Sequence, residues 1–317
     1  MINRTLAAAL MAGAALAATA ALAQSKPNPA ITAQQPVDQV NPQPHAPFVA
    51  VQLAPDLWEV PGAGSNVTIL VTDEGLVLVD SKYEYHYADL MKIIREKVST
   101  KPVRYVIDTH YHADHSGGNT RFRPAGADII SSIQGHDNIV NKVQPGAPPD
   151  MVPANIAFEG ELRLYVGGRE VRINHYGPGH TGTDVTVFFP HDRVICVGDL
   201  VHIGDLDKGG QYPLIDYNGG GGINGWIERL NTIAAGEGYD KVIPGHGSIG
   251  TKADIIAYRD LLERLRDQVA AYLRDGTKTE ADLRAHLIKD EHWPDPGLSI
   301  VRSAHGLYED FRPKPKP

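Results

Sequence analysis

A chain of 317 residues with 42% apolar and 21% charged side chains has room for a substantial buried core, as one large α/β unit or two modest ones. A formal net charge of −8 and an isoelectric point near 5.9 provide no general basic face, which excludes nucleic acid as the default partner. The single cysteine, Cys196, excludes an internal disulfide, and its place in the apolar run Val194 to Val197 marks it as core filling.

Met1 to Ala23 carries Arg4 in a short charged start, an Ala/Leu-rich stretch from Leu6 to Ala20, and a small-x-small cleavage pattern at Ala21-Leu22-Ala23. That is the pattern of a secretory signal peptide, so the mature protein is expected in the periplasm or outside the cell. No later segment approaches the ~20 apolar residues that a membrane span needs, and no membrane anchor is expected after cleavage. Residues 24–47, rich in Pro, Gln and Ala, read as an extended leader. The main domain is expected over residues 48–275, and a C-terminal extension over 276–317, with a Lys/Pro-rich disordered tail from Arg312.

Leu57 to Val60, Asn66 to Thr72 and Leu76 to Asp80 are β-branched, apolar runs separated by Pro61-Gly62 and Asp73-Glu74-Gly75, the pattern of an antiparallel meander. The link Gly62 to Asn66 reads either as a mobile flap or as a plain glycine loop. Tyr87, Leu90, Met91, Ile94 and Val98 recur at helical spacing, so His86 to Val98 is expected to lie as an amphipathic helix on a sheet. The next run, Val103 to Asp108, reads as a buried strand.

That strand delivers Thr109-His110-Tyr111-His112-Ala113-Asp114-His115-Ser116-Gly117-Gly118, which places four potential metal ligands within six residues. In extended backbone the His110 and His112 imidazoles leave on one face and can close on one ion. Asp114 and His115 follow where the strand must end and can turn toward a second. Imidazole and carboxylate form a ligand set suited to zinc, and a catalytic site needs further ligands from elsewhere in the chain.

Downstream, Ser116 to Asn119 reads as a helix start and Ala127 to Ser131 as a strand. Residues 134–157 read as an exposed polar excursion. A second strand series follows at Leu162 to Val166, Glu170 to His175, Val185 to Phe189 and Val194 to Val197, with a short strand at Lys241 to Ile243. Its turns carry His180, Asp199 and His246, three further ligand-type residues. Ile223 to Ala235 and Ile255 to Leu273 read as amphipathic helices covering a sheet face. Between the ligands and these helices, His202 to Asp205, Tyr212 to Asn218 and Gly219 to Gly222 read as a substrate loop or as ordinary glycine-rich turns. No P-loop lysine or dinucleotide pattern accompanies the glycines.

Taken together, the histidine loop, Gly177-Pro178-Gly179-His180-Thr181-Gly182, Val197-Gly198-Asp199 and Pro244-Gly245-His246-Gly247 resemble the metallo-β-lactamase fold superfamily over roughly residues 50 to 260. The resemblance implies an α+β architecture, an αββα sandwich of two mixed β-sheets flanked by helices, with the metal site at one sheet edge. It implies two Zn2+ per chain, with His110, His112 and His180 on the first and Asp114, His115 and His246 on the second. Asp199 would bridge them, and Asp114 would orient the attacking hydroxide. Typical zinc β-lactamases carry Cys or Ser at the Asp199 position, whereas glyoxalase II-like hydrolases carry Asp; Cys196 lies three residues too early. The basic glutathione-binding residues of glyoxalase II have no clear counterpart in residues 251–317. In overall layout the chain is closer to secreted metallo-hydrolases associated with quinoprotein or sulfur-oxidation gene sets. The expected function is a secreted dinuclear zinc hydrolase of small ester, thioester or lactone substrates. The alternatives are a β-lactam-hydrolysing enzyme and, in another class, a non-catalytic periplasmic zinc-binding or sensing protein.

Overall fold

The computed structural model describes residues 45–204, 212–236, 238–295 and 297–314. The expected signal peptide and most of the leader lie outside the described residues. The first sheet has seven strands in sequence order: β1 (Val51–Ala54), β2 (Leu57–Val60), β3 (Val67–Thr72), β4 (Gly75–Val79), β5 (Val103–Ile107), β6 (Asp128–Ser132) and β7 (Ile156–Phe158). β1 to β4 form the antiparallel meander, and β4 to β7 run parallel. The second sheet comprises β8 (Glu161–Val166), β9 (Arg169–Asn174), β10 (Thr186–Phe189), β11 (Val194–Ile203) and β12 (Lys241–Gly247), ordered β12-β11-β10-β9-β8 with only β11 and β12 parallel.

Apolar residues fill three layers. Between the sheets, Leu70, Val77, Val79, Ile107 and Ile130 of the first meet Val171, Ile173, Val187, Phe189 and Cys196 of the second. The outer face of the first sheet is covered by α1 (Tyr87–Ile93) and the short α3 (Asn119–Phe122), through Leu90, Met91 and Phe122. Outside the second sheet lie α5 (Ile223–Ala235), α6 (Lys252–Leu273), α7 (Glu280–Lys289) and α8 (Leu298–Phe311), which share one core cluster. The result is an αββα sandwich, and the α7 and α8 residues Leu283, Leu287, Ile300 and Leu307 are as deeply buried as those of α5 and α6. Trp226 of α5 is fully buried with its indole N–H donating to Leu200 O at 2.9 Å; truncating a side chain of that size in a packed core costs about 3–5 kcal/mol. Among the described residues no helix is long and apolar enough to cross a membrane.

Several expectations change in detail. The helix expected over His86 to Val98 is a 3-10 turn at Glu84–His86, then α1, then a π turn at Ile94–Val98. The stretch 134–157 is not simply exposed: it opens within α4 (Ile133–Val140), where the Ser132 hydroxyl accepts from Gly135 N at 3.1 Å, and it carries the buried Asn138 and Gln144. Polar side chains concealed this, because Asn138 and Gln144 are paired internally, to Gly219 O and Ala113 N. β11 and β12 also run further than their apolar runs. Between Gly198 and His202 four steps of β11 face two of β12, from Pro244 to His246, and this bulge swings Asp199 out of the ladder.

Candidate metal centre

Parallel strands β4, β5 and β6 end at one edge of the first sheet, and β12 ends beside them. Their carboxyl ends deliver Asp80, the histidine loop and His246 to one place. α2 (Ala113–Ser116) starts directly after His112, which keeps an extended φ/ψ of −64°/146°, so Asp114 and His115 sit in the first turn of a helix. His180 arrives on the loop from β9 to β10, and Asp199 on the bulge of β11. Gly245 lets this converge, since a Cβ there would lie 2.0 Å from Asp199 Oδ1 and 2.9 Å from the His115 ring.

His110, His112 and His180 form one cluster. His110 Nε2 lies 3.0 Å from His112 Nδ1, and His180 Nε2 lies 3.2 Å from the same atom. Their other nitrogens show where the protons are. His180 Nδ1 is 2.6 Å from Leu214 O, which only accepts, so Nδ1 donates. His112 Nε2 donates to Asp216 Oδ2 at 2.8 Å. His110 Nδ1 is 3.2 Å from the Thr109 hydroxyl, which itself donates to Asp80 Oδ2 at 2.9 Å. Each ring therefore turns a bare lone pair toward the same point, an arrangement that repels itself unless a cation sits there. Separations of 3.0 and 3.2 Å are close to the ~3.3 Å edge of a tetrahedron of nitrogens about 2.0 Å from zinc.

The second cluster is acidic as well as basic. His115 Nε2 lies 3.3 Å from His246 Nε2, 3.4 Å from Asp114 Oδ2 and 3.3 Å from Asp199 Oδ1. His246 Nε2 is 3.1 Å from Asp114 Oδ2 and 3.4 Å from Asp199 Oδ2. Asp199 Oδ2 is also 3.8 Å from His180 Nε2, so this carboxylate reaches both clusters, while its buried Oδ1 accepts no hydrogen bond. His115 Nδ1 points away, to Asp80 Oδ2 at 2.8 Å, and Asp80 is fixed by Thr109 N at 2.7 Å. The donor set, the tautomers and the unsatisfied Asp199 oxygen all fit metal ions.

Electrostatics separate the clusters. Burial pushes His110 well down and His180 down to about 3, so both are neutral imidazoles, as ligands must be. At His115 and His246 burial acts in the same direction, but the facing Asp199 and Asp114 carboxylates outweigh it, raising His115 well above its usual value and His246 to about 10. Burial likewise opposes ionisation of Asp114 and Asp199, but His115 and His246 hold both carboxyls well below their usual range.

All seven residues singled out in the sequence are thus brought together, and they fall into the three groups His110/His112/His180, His110/His115/Asp199 and Asp114/His115/His246. Sequence reasoning missed Asp80, Tyr111, Asp216 and Arg302, which hold the histidines from behind. Tyr111 Oη donates to Asp216 Oδ2 at 2.5 Å, and Arg302 Nη1 lies 4.0 Å from the same oxygen. His202, within a segment read as a loop, lies on β11 with Nε2 3.5 Å from Asp199 Oδ2. The Gly62 to Asn66 link is tied down: Ser65 N donates to Asp114 O, Asn66 N to Gly245 O, and Lys82 Nζ to the carbonyls of Gly62 and Ser65. Gly219 to Gly222 pack against the backbone of the His180 loop, with Gly182 N donating to Gly219 O and Gly222 N to Gly179 O.

Two mixed sheets that carry a histidine triad and an Asp/His/His triad joined by one carboxylate define a scaffold whose side chains can hold metal. Residues 60–246 match the metallo-beta-lactamase superfamily, and the chain belongs to that family of hydrolases, whose members use a metal cofactor. It is 28% identical over 200 residues to a metallo-beta-lactamase type 2 of Bacillus sp. (strain 170), covering 63% of this chain and 73% of that one. It is 23% identical over 193 residues to the 2,4-dinitroanisole O-demethylase subunit alpha of Nocardioides sp. (strain JS1661), covering 60% and 55%. The fold is similar to that of a metallo-beta-lactamase from Pontibacter korlensis, at a TM-score of 0.57 and 21% identity over 68% of this chain and 99% of that one.

Proposed function

We propose that the chain is an exported dinuclear zinc hydrolase that acts on small esters, thioesters or lactones. The observation that carries this reading is Asp199, whose two oxygens reach His115, His246 and His180 within 3.3–3.8 Å, so that one side chain serves both clusters. His110, His112 and His180 would hold the first ion, and Asp114, His115 and His246 the second. Bound zinc supplies Lewis acidity toward a carbonyl and lowers the pKa of a water toward neutrality. The chain's own groups do the rest. Thr109, Asp80, Leu214 O and Asp216 fix the ring orientations. Asp114, with its side chain 18% exposed, presents its carboxylate to the water that attacks, and orients it. His246 is the most open ligand, with its side chain 34% exposed, so substrate approaches over Asp114 and His246. Cys196 takes no part: it is buried between the sheets with its thiol donating to Thr68 Oγ1 at 3.2 Å, and burial pushes its pKa far up.

A second reading, hydrolysis of β-lactams, is favoured by the type 2 metallo-beta-lactamases among the relatives. Asp199 is what ranks it second. The deciding experiment is steady-state kinetics of the zinc-loaded enzyme on an acyl ester, a thioester, a lactone, a penicillin and a carbapenem, with zinc-depleted enzyme as control. The reading expects zinc-dependent turnover of an ester-type substrate with kcat/KM above about 10⁴ M⁻¹s⁻¹. That efficiency on a lactam alone would reverse the ranking. N-terminal sequencing of the periplasmic protein tests the export step, which expects Gln24 as first residue.

A further inference from the structure

The first cluster is braced from behind by a strap of chain, Tyr212 to Tyr217, that runs between its histidines and α8. The inner edge of the strap holds two ligands: Leu214 O accepts from His180 Nδ1 at 2.6 Å, and Asp216 Oδ2 accepts from His112 Nε2 at 2.8 Å. Its outer edge is gripped by α8. Ile215 N donates to Ser303 Oγ at 2.9 Å, Ser303 Oγ donates to Pro213 O at 3.4 Å, and Ser299 Oγ donates to Tyr212 O at 2.8 Å. Tyr217 Oη donates to Asp310 Oδ2 at 2.8 Å, and the Tyr217 ring lies against Gly306, where a Cβ would fall 2.0 Å from it.

Arg302 completes the brace. It is 7% exposed, and its Nη1 lies 3.3 Å from His112 Nε2 and 4.0 Å from Asp216 Oδ2. Because His112 Nε2 already carries the proton given to Asp216, Arg302 acts there as a counter-charge and not as a donor to the ring. Asp216 Oδ2 accepts from both His112 Nε2 and Tyr111 Oη, and the Arg302 guanidinium faces that same oxygen, so the carboxylate that orients His112 is itself held from α8.

We infer that α8 sets the geometry of the first metal cluster, with Arg302 and Ser303 as positioning residues for His112 and His180. This rests on the proposed metal site and adds a dependence on a helix beyond the family match, which ends at residue 246. Residues that orient metal ligands from behind commonly change affinity 10–100-fold when replaced.

Zinc affinity, measured by competition with a chromophoric chelator, tests it in two backgrounds: His246→Ala, which leaves the first cluster intact, and His180→Ala, which leaves the second. Arg302→Met is expected to weaken zinc about 10–100-fold in the first background and under about twofold in the second. Arg302→Lys should recover most of the loss, which a merely structural role would not predict. Ser303→Ala should weaken the first cluster by a smaller factor in the same selective way. Where Arg302→Met fails to fold, Ser303→Ala alone carries the same test, since Ser303 lies on α8 and holds the strap through Ile215 N and Pro213 O. Equal weakening in both backgrounds, or no change in either, overturns the inference while leaving the metal site standing. A wild-type chain that takes up less than one zinc ion overturns the site reading, and the inference with it.

Discussion

The two halves of the centre are built on opposite electrostatic plans. The first is three imidazoles, each pinned through its outer nitrogen, backed by an Asp216 carboxylate that accepts from Tyr111 and His112 and faces Arg302. The second is two acids and two histidines whose charges depend on one another, backed by Asp80 and, deeper, by the buried Glu59 and Lys82, where Glu59 Oε1 has no hydrogen-bond partner. Exposure follows the same division, since His110, His112 and His180 are sealed while Asp114 and His246 face the opening. The comparison assigns pre-organisation to the first cluster and access to the second.

The largest expected effect breaks that division directly. His112→Ala removes a first-cluster ligand and strands Asp216, so kcat/KM should fall by about 10³-fold or more, roughly 4 kcal/mol of barrier. His246→Ala should keep one zinc ion and cost less, about 10²-fold. Equal losses would remove the asymmetry. Next in size, Asp80→Asn should weaken zinc about 10–100-fold in a His180→Ala background, which retains only the second cluster, with less effect in a His246→Ala background. Zinc titration against a chelator reads both.

A smaller effect lies in the buried pair behind the second cluster. Burial raises the Glu59 carboxyl to about 7 against the opposing charge of Lys82. A folded carboxyl raised above its unfolded value binds more protons than the unfolded chain between about pH 4.5 and 7, so its contribution to stability falls as pH rises through that window. In Glu59→Gln that slope should flatten by about 2 kcal/mol across pH 5 to 7, read by urea unfolding of the zinc-free protein. An unchanged slope would place the raised carboxyl elsewhere. Smallest is Cys196→Ala, expected to cost about 1–2 kcal/mol of stability with zinc content unaltered. Lost zinc would make Cys196 part of the centre.

Much of this centre is legible in the chain because its ligands are chemically unusual for their positions. His110, His112, Asp114 and His115 crowd one loop after an apolar strand, and glycine-flanked His180, Asp199 and His246 follow apolar runs. The sandwich is legible for a similar reason: turn residues punctuate two series of β-branched runs. The brace is not. Asp80, Asp216 and Arg302 are ordinary polar residues in sequence, and they become neighbours of the ligands only through contacts spanning up to 190 positions, as from His112 to Arg302. The bulge of β11 was hidden as well, since Gly198 and Asp199 read as the end of a strand when they are its turning point.

The bridging role of Asp199 is the claim on which the dinuclear reading depends. Its most direct test is zinc per chain after reconstitution and removal of free metal, measured side by side for wild type, His246→Ala and Asp199→Ala. The expected result is two ions in wild type, one in His246→Ala and less than one in Asp199→Ala, because the carboxylate touches both clusters. Two ions retained in Asp199→Ala, with its fold intact, would contradict it.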